Sequence, residues 1–301
     1  MSHTEVTAPR LADTEIDRIR RTRAEDPAAI ERAYATRTRR DIHGEDGRLF
    51  IVAADHPARG ALGVRQNPTA MASRTELLRR LTLALSRPGV DGVLGTPDIL
   101  DDLALLGALD GKIAVGSLNR GGLRGAVFEM DDRFTGHDIP TVGDRLDMAK
   151  LLMRINLADP GTAPTLEAAA NAVTTAARAR VPLMLEPFMS RWADDRIVND
   201  LSTEAVITSV AIASGLGADS AYSWLKLPVV DEMERVMDAT TLPTLLLGGD
   251  ADGSPDETFS SWQAALALPG VRGLVVGRTL LYPTDDDVAT AVDTAASLVH
   301  T

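Results

Sequence analysis

The sequence predicts an α/β fold, a (β/α)8 TIM barrel with an N-terminal helical extension. Three observations predict it. Eight short apolar runs recur along 301 residues, and amphipathic stretches such as SRTELLRRLTLALSR and LEAAANAVTTAARARV separate most of them. The runs are apolar throughout, as strands are when both faces of a parallel sheet are covered. No GxGxxG follows the first run, which removes the main argument for an open, doubly wound sheet.

Residues 1–45 read as the extension. The stretch LADTEIDRIRRTRAEDPAAIERAYATRTRR is charged and helical in pattern. Asp13 or Thr14 suits the cap of one helix, and Pro27 suits the first turn of another. Residues 46–301 then form one barrel domain. Its predicted strands are Leu49–His56, Asp91–Thr96, Lys112–Ser117, Met148–Ile155, Val181–Pro187, Tyr222–Pro228, Leu242–Gly249 and Val271–Arg278. The fourth, MAKLLMRI, also fits a helical period. After the third strand the alternation breaks, and GAVFEMDDRF is expected to form a small hairpin.

Composition limits the function. The net charge is −12 and the pI about 4.9. That argues against general nucleic-acid or anionic-membrane binding, which need a basic surface. An anionic small substrate stays possible, because a local cluster of arginines reverses the field in one cleft. There is no cysteine, so thiol nucleophiles and thiolate metal sites are absent. The five histidines lack metal-ligand spacing, so neither a metal nor another cofactor is expected. The polar N-terminus and the short apolar runs predict a cytoplasmic protein with no membrane span.

In such a barrel, chemistry belongs at the C-terminal ends of the strands. Only three of the 31 basic residues are lysines, and Lys226 stands inside the apolar run WLKLPVV. One reading is a lysine paired with a carboxylate. The other is a Schiff-base lysine, since an apolar site beside a second cation lowers an amine's pKa. Lys150 qualifies as that cation, because alternate strands fill the same interior layer. Glu186 ends strand five, either as an ion-pair partner or as the group that takes a substrate hydroxyl proton. Asp55 follows strand one, either as a cap or to orient a hydroxyl. His56 beside it reads as a loop residue rather than a base. Arg59 and Arg120 follow strands one and three as candidate substrate contacts. Gly248 and Gly249 end strand seven, and Gly277 and Arg278 end strand eight. Paired glycines there let backbone N–H groups approach a phosphate, and Arg278 adds a charge-assisted contact.

With these residues in place, the chain resembles the class I, Schiff-base aldolases of the (β/α)8 fold. From about Leu49 to Pro283 it is similar to the tagatose-bisphosphate aldolase branch. AADHPARGAL resembles that branch's first-strand motif, MAKLLMRI its lysine strand, LMLEPFMS its glutamate strand, WLKLPVV the strand of the imine-forming lysine, and VVGRTLLY its closing phosphate motif. The resemblance implies Lys226 as the imine lysine. The chain departs from the branch where His56-Pro57-Ala58 lengthens the first loop. Its LGGD at strand seven is nearer the archaeal-type fructose-bisphosphate aldolases. As a whole it looks most like actinobacterial aldolase-like barrels associated with inositol catabolism. That likeness implies cleavage of 5-dehydro-2-deoxy-D-gluconate 6-phosphate to dihydroxyacetone phosphate and malonate semialdehyde. The substrate's carboxylate would need a further cation, with Arg120, Arg124 and Arg191 available. Tagatose or fructose bisphosphate, a sulfosugar phosphate and deoxyribose phosphate are alternative substrates. A non-catalytic sugar-phosphate-binding barrel is the rival of another class, although the joint presence of Lys150, Glu186 and Lys226 argues against lost activity. A homo-oligomer is compatible with the fold.

Overall fold

The computed structural model describes residues 11–44, 46–118, 122–131, 133–194, 196–249 and 254–300. Eight parallel strands close into a barrel: β1 (Leu49–Ala53), β2 (Gly92–Gly95), β3 (Ile113–Ser117), β4 (Met148–Ile155), β5 (Leu183–Ala193), β7 (Ser223–Leu227), β8 (Thr244–Leu247) and β9 (Val271–Val276). The β1–β9 and β4–β5 pairings complete the ring. Each predicted run contains its strand except the fifth, where β5 runs on past Pro187 to Ala193. MAKLLMRI is a strand because all eight of its residues are buried, half toward the barrel interior and half toward the helices. A helix there would expose one face.

Side chains alternate between two cores. Phe50, Val52, Val93, Ala114, Leu151, Leu185, Leu225 and Leu246 face outward and pack under the helical layer. Leu49, Ile51, Leu94, Ile113, Val115, Met148, Met184, Trp224, Leu245 and Val275 fill the lower interior. Local chemistry starts the outer helices where they are needed. Ser73 and Ser202 cap their helices by accepting from Glu76 N–H and Ala205 N–H. Proline occupies the first turn of the helices at Pro97–Leu105, Ile139–Arg145 and Pro255–Leu266.

The extension contains α1 (Asp13–Glu25) and α2 (Ala28–Thr36), which lie against the helical layer. The chain then crosses the N-terminal mouth of the barrel, where Ile42 packs on the interior core. Arginines anchor it. Arg37 donates to Asp147 Oδ2 at 2.7 Å and to the carbonyls of Arg145 and Lys112, and Arg39 donates to Asp147 Oδ1 at 2.8 Å. Arg40 donates to Asp91 Oδ1 at 2.7 Å. The same aspartates also accept strand N–H groups, Ala114 by Asp147 and Phe50 by Asp91.

The predicted hairpin at GAVFEMDDRF does not form among its described residues. That segment folds back on itself in successive turns, with Ala126, Glu129 and Asp131 N–H bonded to carbonyls three residues earlier. Its backbone is thus satisfied locally and offers no ladder. The hairpin lies elsewhere. β5 runs past the barrel and pairs antiparallel with β6 (Arg196–Asn199), Ser190 opposite Asn199. Among the described residues, no helix is long and apolar enough to cross a membrane.

Candidate active site

The period of two that fills the lower interior with apolar side chains also builds the site. On five elements, the next inward position above an apolar residue is polar. Asp55 follows Ala53, Ser117 follows Val115, Lys150 follows Met148, Glu186 follows Met184, and Lys226 follows Trp224. All five are buried. Lys150 Nζ lies 3.0 Å from Asp55 Oδ2 and 2.6 Å from Glu186 Oε2. The other oxygen of Glu186 accepts from Lys226 Nζ. Ser117 Oγ lies 3.5 Å from Asp55 Oδ2.

Two ammoniums and two carboxylates balance formally, but the lysines are not equivalent. Lys150 touches both carboxylates, whereas Lys226, among the described residues, touches Glu186 alone and shares it. At an effective dielectric of about 20, one more carboxylate at about 3 Å adds about 5 kcal/mol of Coulomb attraction. That difference favours the charged form of Lys150 over that of Lys226. Burial lowers the Lys150 pKa, but Asp55 and Glu186 outweigh it and the net shift is upward. For Lys226 burial dominates, Lys150 adds repulsion to it, and the net shift is downward despite Glu186. Burial raises both carboxylates, yet the lysines overcome it. Lys150 and Lys226 hold Glu186 at about 2, and Lys150 leads the groups holding Asp55 well below the usual carboxylate range.

A cleft of about 470 Å³ opens over this network at the C-terminal end of the barrel. Lys226 and Glu186 line it, whereas Lys150 and Asp55 lie beneath its surface. The predicted phosphate group, Gly248, Gly249, Gly277 and Arg278, lines the same cleft, together with Arg59. Packing also demands two of these glycines. A Cβ at Gly277 would strike the Ala53 carbonyl oxygen, and one at Gly248 would strike the Val276 side chain. Arg124 lines the cleft, Arg191 lies outside its lining, and Arg120 lies outside the described residues.

Other lining residues escaped the sequence reading. Arg154 sits two inward positions above Lys150 on β4 and pairs with Glu129 Oε1 at 2.9 Å, both buried. Alternation along β4 carried a signal for Arg154, because Lys150, Leu152 and Arg154 share one face. Glu129 comes from the segment misread as a hairpin and carried none. Ile197, Asn199 and Leu201, on and just after β6, form another wall. His56, set aside as a loop residue, also lines the cleft, from a tight turn at His56–Arg59. Burial leads the causes that lower its pKa well below the ordinary value, followed by Arg59. Among the described residues, no group of three or more His, Asp or Glu side chains is placed to hold a metal ion.

Comparison with known proteins adds the following. A crystal structure of Cgl0159 from Corynebacterium glutamicum matches at 66% identity and TM-score 0.95, over 97% of this chain and 99% of that one. A Schiff-base-forming fructose-1,6-bisphosphate aldolase matches at 19% identity and TM-score 0.62, over 90% of this chain and 100% of that one. An archaeal fructose-1,6-bisphosphate aldolase, solved with its catalytic lysine bound to the carbinolamine intermediate, matches at 18% identity and TM-score 0.64, over 90% and 100%. At such identities the likeness carries the barrel fold alone. Comparison with curated proteins finds no match. A family model described as Cgl0159-like matches residues 47–296, and on that span the chain belongs to the Cgl0159-like family.

Proposed function

We propose that the protein is a class I aldolase that cleaves a phosphorylated keto sugar through a Schiff base on Lys226. One observation carries this reading. Lys226 faces the cleft from a buried site, shares with Lys150 the one carboxylate it touches among the described residues, and has its pKa lowered by burial and by that second cation. Those conditions favour a neutral, nucleophilic amine at neutral pH.

The steps follow from position. Gly248, Gly249, Gly277 and Arg278 hold the phosphate, with Arg59 nearby. The amine of Lys226 adds to the ketone, and loss of water gives the iminium. Glu186 takes the proton of the hydroxyl beside the scissile bond. The C–C electron pair then moves into the iminium, giving an enamine and a free aldehyde. Protonation of the enamine carbon restores the iminium, and water releases the ketone and the amine. Because the iminium accepts the electrons, no Lewis acid enters these steps. Lys150 stays charged, depresses the Lys226 pKa and holds Glu186 in place. Asp55 supports Lys150 from below and has no direct part.

For the substrate we favour 5-dehydro-2-deoxy-D-gluconate 6-phosphate, giving dihydroxyacetone phosphate and malonate semialdehyde. In the ring order, β4 stands opposite β9. Arg154 on β4 therefore lies across the barrel from Arg278, and Arg124 lines the cleft as well. Cations on both sides of a central lysine suit a substrate with a phosphate at one end and a carboxylate at the other.

Incubation with dihydroxyacetone phosphate, borohydride reduction and intact-mass measurement test the chemistry. A reduced adduct in the wild type that is absent from Lys226→Ala is expected. No adduct, or the same adduct in Lys226→Ala, overturns the Schiff base and favours a barrel that only binds sugar phosphates. Release of dihydroxyacetone phosphate from a panel of sugar phosphates then tests the substrate.

A further inference from the structure

An aldol cleavage moves two different protons. One leaves a hydroxyl oxygen, and the other must reach the enamine carbon after the aldehyde departs. Glu186 suits the first transfer and not the second. Its Oε2 is held by Lys150 at 2.6 Å and its other oxygen faces Lys226, which commits it to the hydroxyl side of the reaction.

A second candidate stands on the opposite side of Lys150. Asp55 Oδ2 binds Lys150, while its Oδ1 lies 3.7 Å from His56 Nδ1. That nitrogen is sealed from solvent and has no hydrogen-bond partner among the described residues. The His56 side chain is 16% exposed and lines the cleft, and with Nδ1 sealed that exposure falls on the rest of the ring, which carries Nε2. Thus Lys226, Glu186, Lys150, Asp55 and His56 form one chain of titratable groups, and both ends of the chain face the cleft.

The turn that carries His56 is held tightly. Pro57 occupies its first turn, Gly60 closes it at φ 76°, and Gly60 N–H bonds to the Pro57 carbonyl at 3.0 Å. An Nδ1–H directed at the Asp55 carboxylate leaves the Nε2 lone pair toward the cleft. The 3.7 Å gap is of the kind that shortens when a site fills.

The geometry points to His56 as the catalytic group that exchanges protons with the substrate carbon beside the imine, positioned by Asp55; this inference rests on the Schiff-base reading above. Starting from the iminium of the ketone product, Nε2 removes a proton from the adjacent hydroxymethyl carbon. The C–H electron pair forms the C=C bond, and the iminium π pair becomes the nitrogen lone pair of the enamine. The imidazolium exchanges its proton with water. In the cleavage direction the imidazolium gives a proton to the enamine carbon and returns to neutral. The proton that Glu186 took from the hydroxyl leaves to solvent while His56 takes one up from solvent, and the proton released when water hydrolyses the iminium repays the one consumed in forming it.

The test uses the full chain with dihydroxyacetone phosphate in D2O and follows loss of the hydroxymethyl proton signal by NMR. His56→Asn and His56→Gln are each compared with wild type, and borohydride adduct formation is measured in parallel. Wild type should exchange and trap. Both variants should trap near wild-type level while exchange slows by about 10²-fold or more, the scale of a lost general base. Exchange at the wild-type rate in a variant that still traps overturns the inference. Loss of trapping in both variants also overturns it, because His56 would then serve imine formation or the fold. Absence of an adduct in the wild type is a different result, and it removes the Schiff-base reading itself.

Discussion

The two ends of the barrel bury charge in opposite ways. At the N-terminal end, Asp91 and Asp147 meet Arg40, Arg37 and Arg39 and also accept strand N–H groups. Guanidinium does not deprotonate in proteins, so these pairs are permanent fasteners. At the C-terminal end, Asp55 and Glu186 meet Lys150 and Lys226, and an amine can lose its proton. Two of the chain's three lysines stand in that network. The third, Lys112, donates to the Val90 carbonyl at 2.6 Å and lies outside it. Buried charge near the extension is held by groups that keep their protons, whereas under the cleft one of the buried ammonium groups, Lys226, has its pKa lowered.

The largest expected effect breaks the chemical end. Lys226→Ala should abolish the borohydride adduct and cut turnover by about 10⁴-fold or more, since nothing else forms the covalent intermediate. Glu186→Gln comes next. It removes the base and leaves Lys150 and Lys226 without a shared anion, so steady-state cleavage should fall by about 10²–10⁴-fold. Cleavage near the wild-type rate in that variant would return the proton transfer to Asp55.

The structural end should fail differently. Arg37→Ala leaves Asp147 buried with a partner missing, and its side chain is only 4% exposed. Urea unfolding should register a loss of about 3–5 kcal/mol. Adduct yield per folded molecule should stay unchanged. A loss of trapping at full foldedness would contradict the division between the two ends.

Smaller effects sharpen the contrast between the lysines. Lys150→Met removes a repelling cation and gives Glu186 wholly to Lys226, so the Lys226 pKa should rise. The alkaline rise in the rate of imine formation should then move to higher pH by roughly one unit or more. A shift to lower pH would show that Lys150 does not act as the depressing charge. The carboxylates predict an acid limb in stability. Glu186 is lowered from 4.5 to about 2, so its contribution is full above about pH 4.5 and lost as pH falls through about 2. Urea unfolding across that window should show the decline, and Glu186→Gln should flatten part of it.

Much of this architecture was legible because it is local. Apolar runs bounded by polar loops named all eight barrel strands. Scarcity inside an apolar strand selected Lys226, the layer shared by alternate strands selected Lys150, and position at a strand's C-terminal end selected Glu186. The hairpin was misplaced because its cues, two short apolar patches around a polar turn, also fit the serial turns seen at residues 122–131. β6 was missed because RIVN is too short and too exposed to stand out. His56 was set aside because nothing in DHPAR tells which way the ring points. Arg154 is one more arginine until the inward face of β4 is known.

By itself, the sequence determined the barrel, its strand set and the presence of scarce lysines on apolar strands, because those depend on periodicity and composition along short stretches. Only the tertiary structure decided how the four central charges are shared. Closing the ring brings Asp55, Lys150, Glu186 and Lys226 together from four different strands or strand ends. Coulomb energy depends on those distances, and no spacing along the chain encodes them. The closure gives Lys150 two carboxylates and Lys226 half of one, and from that inequality come the opposite directions of their pKa shifts.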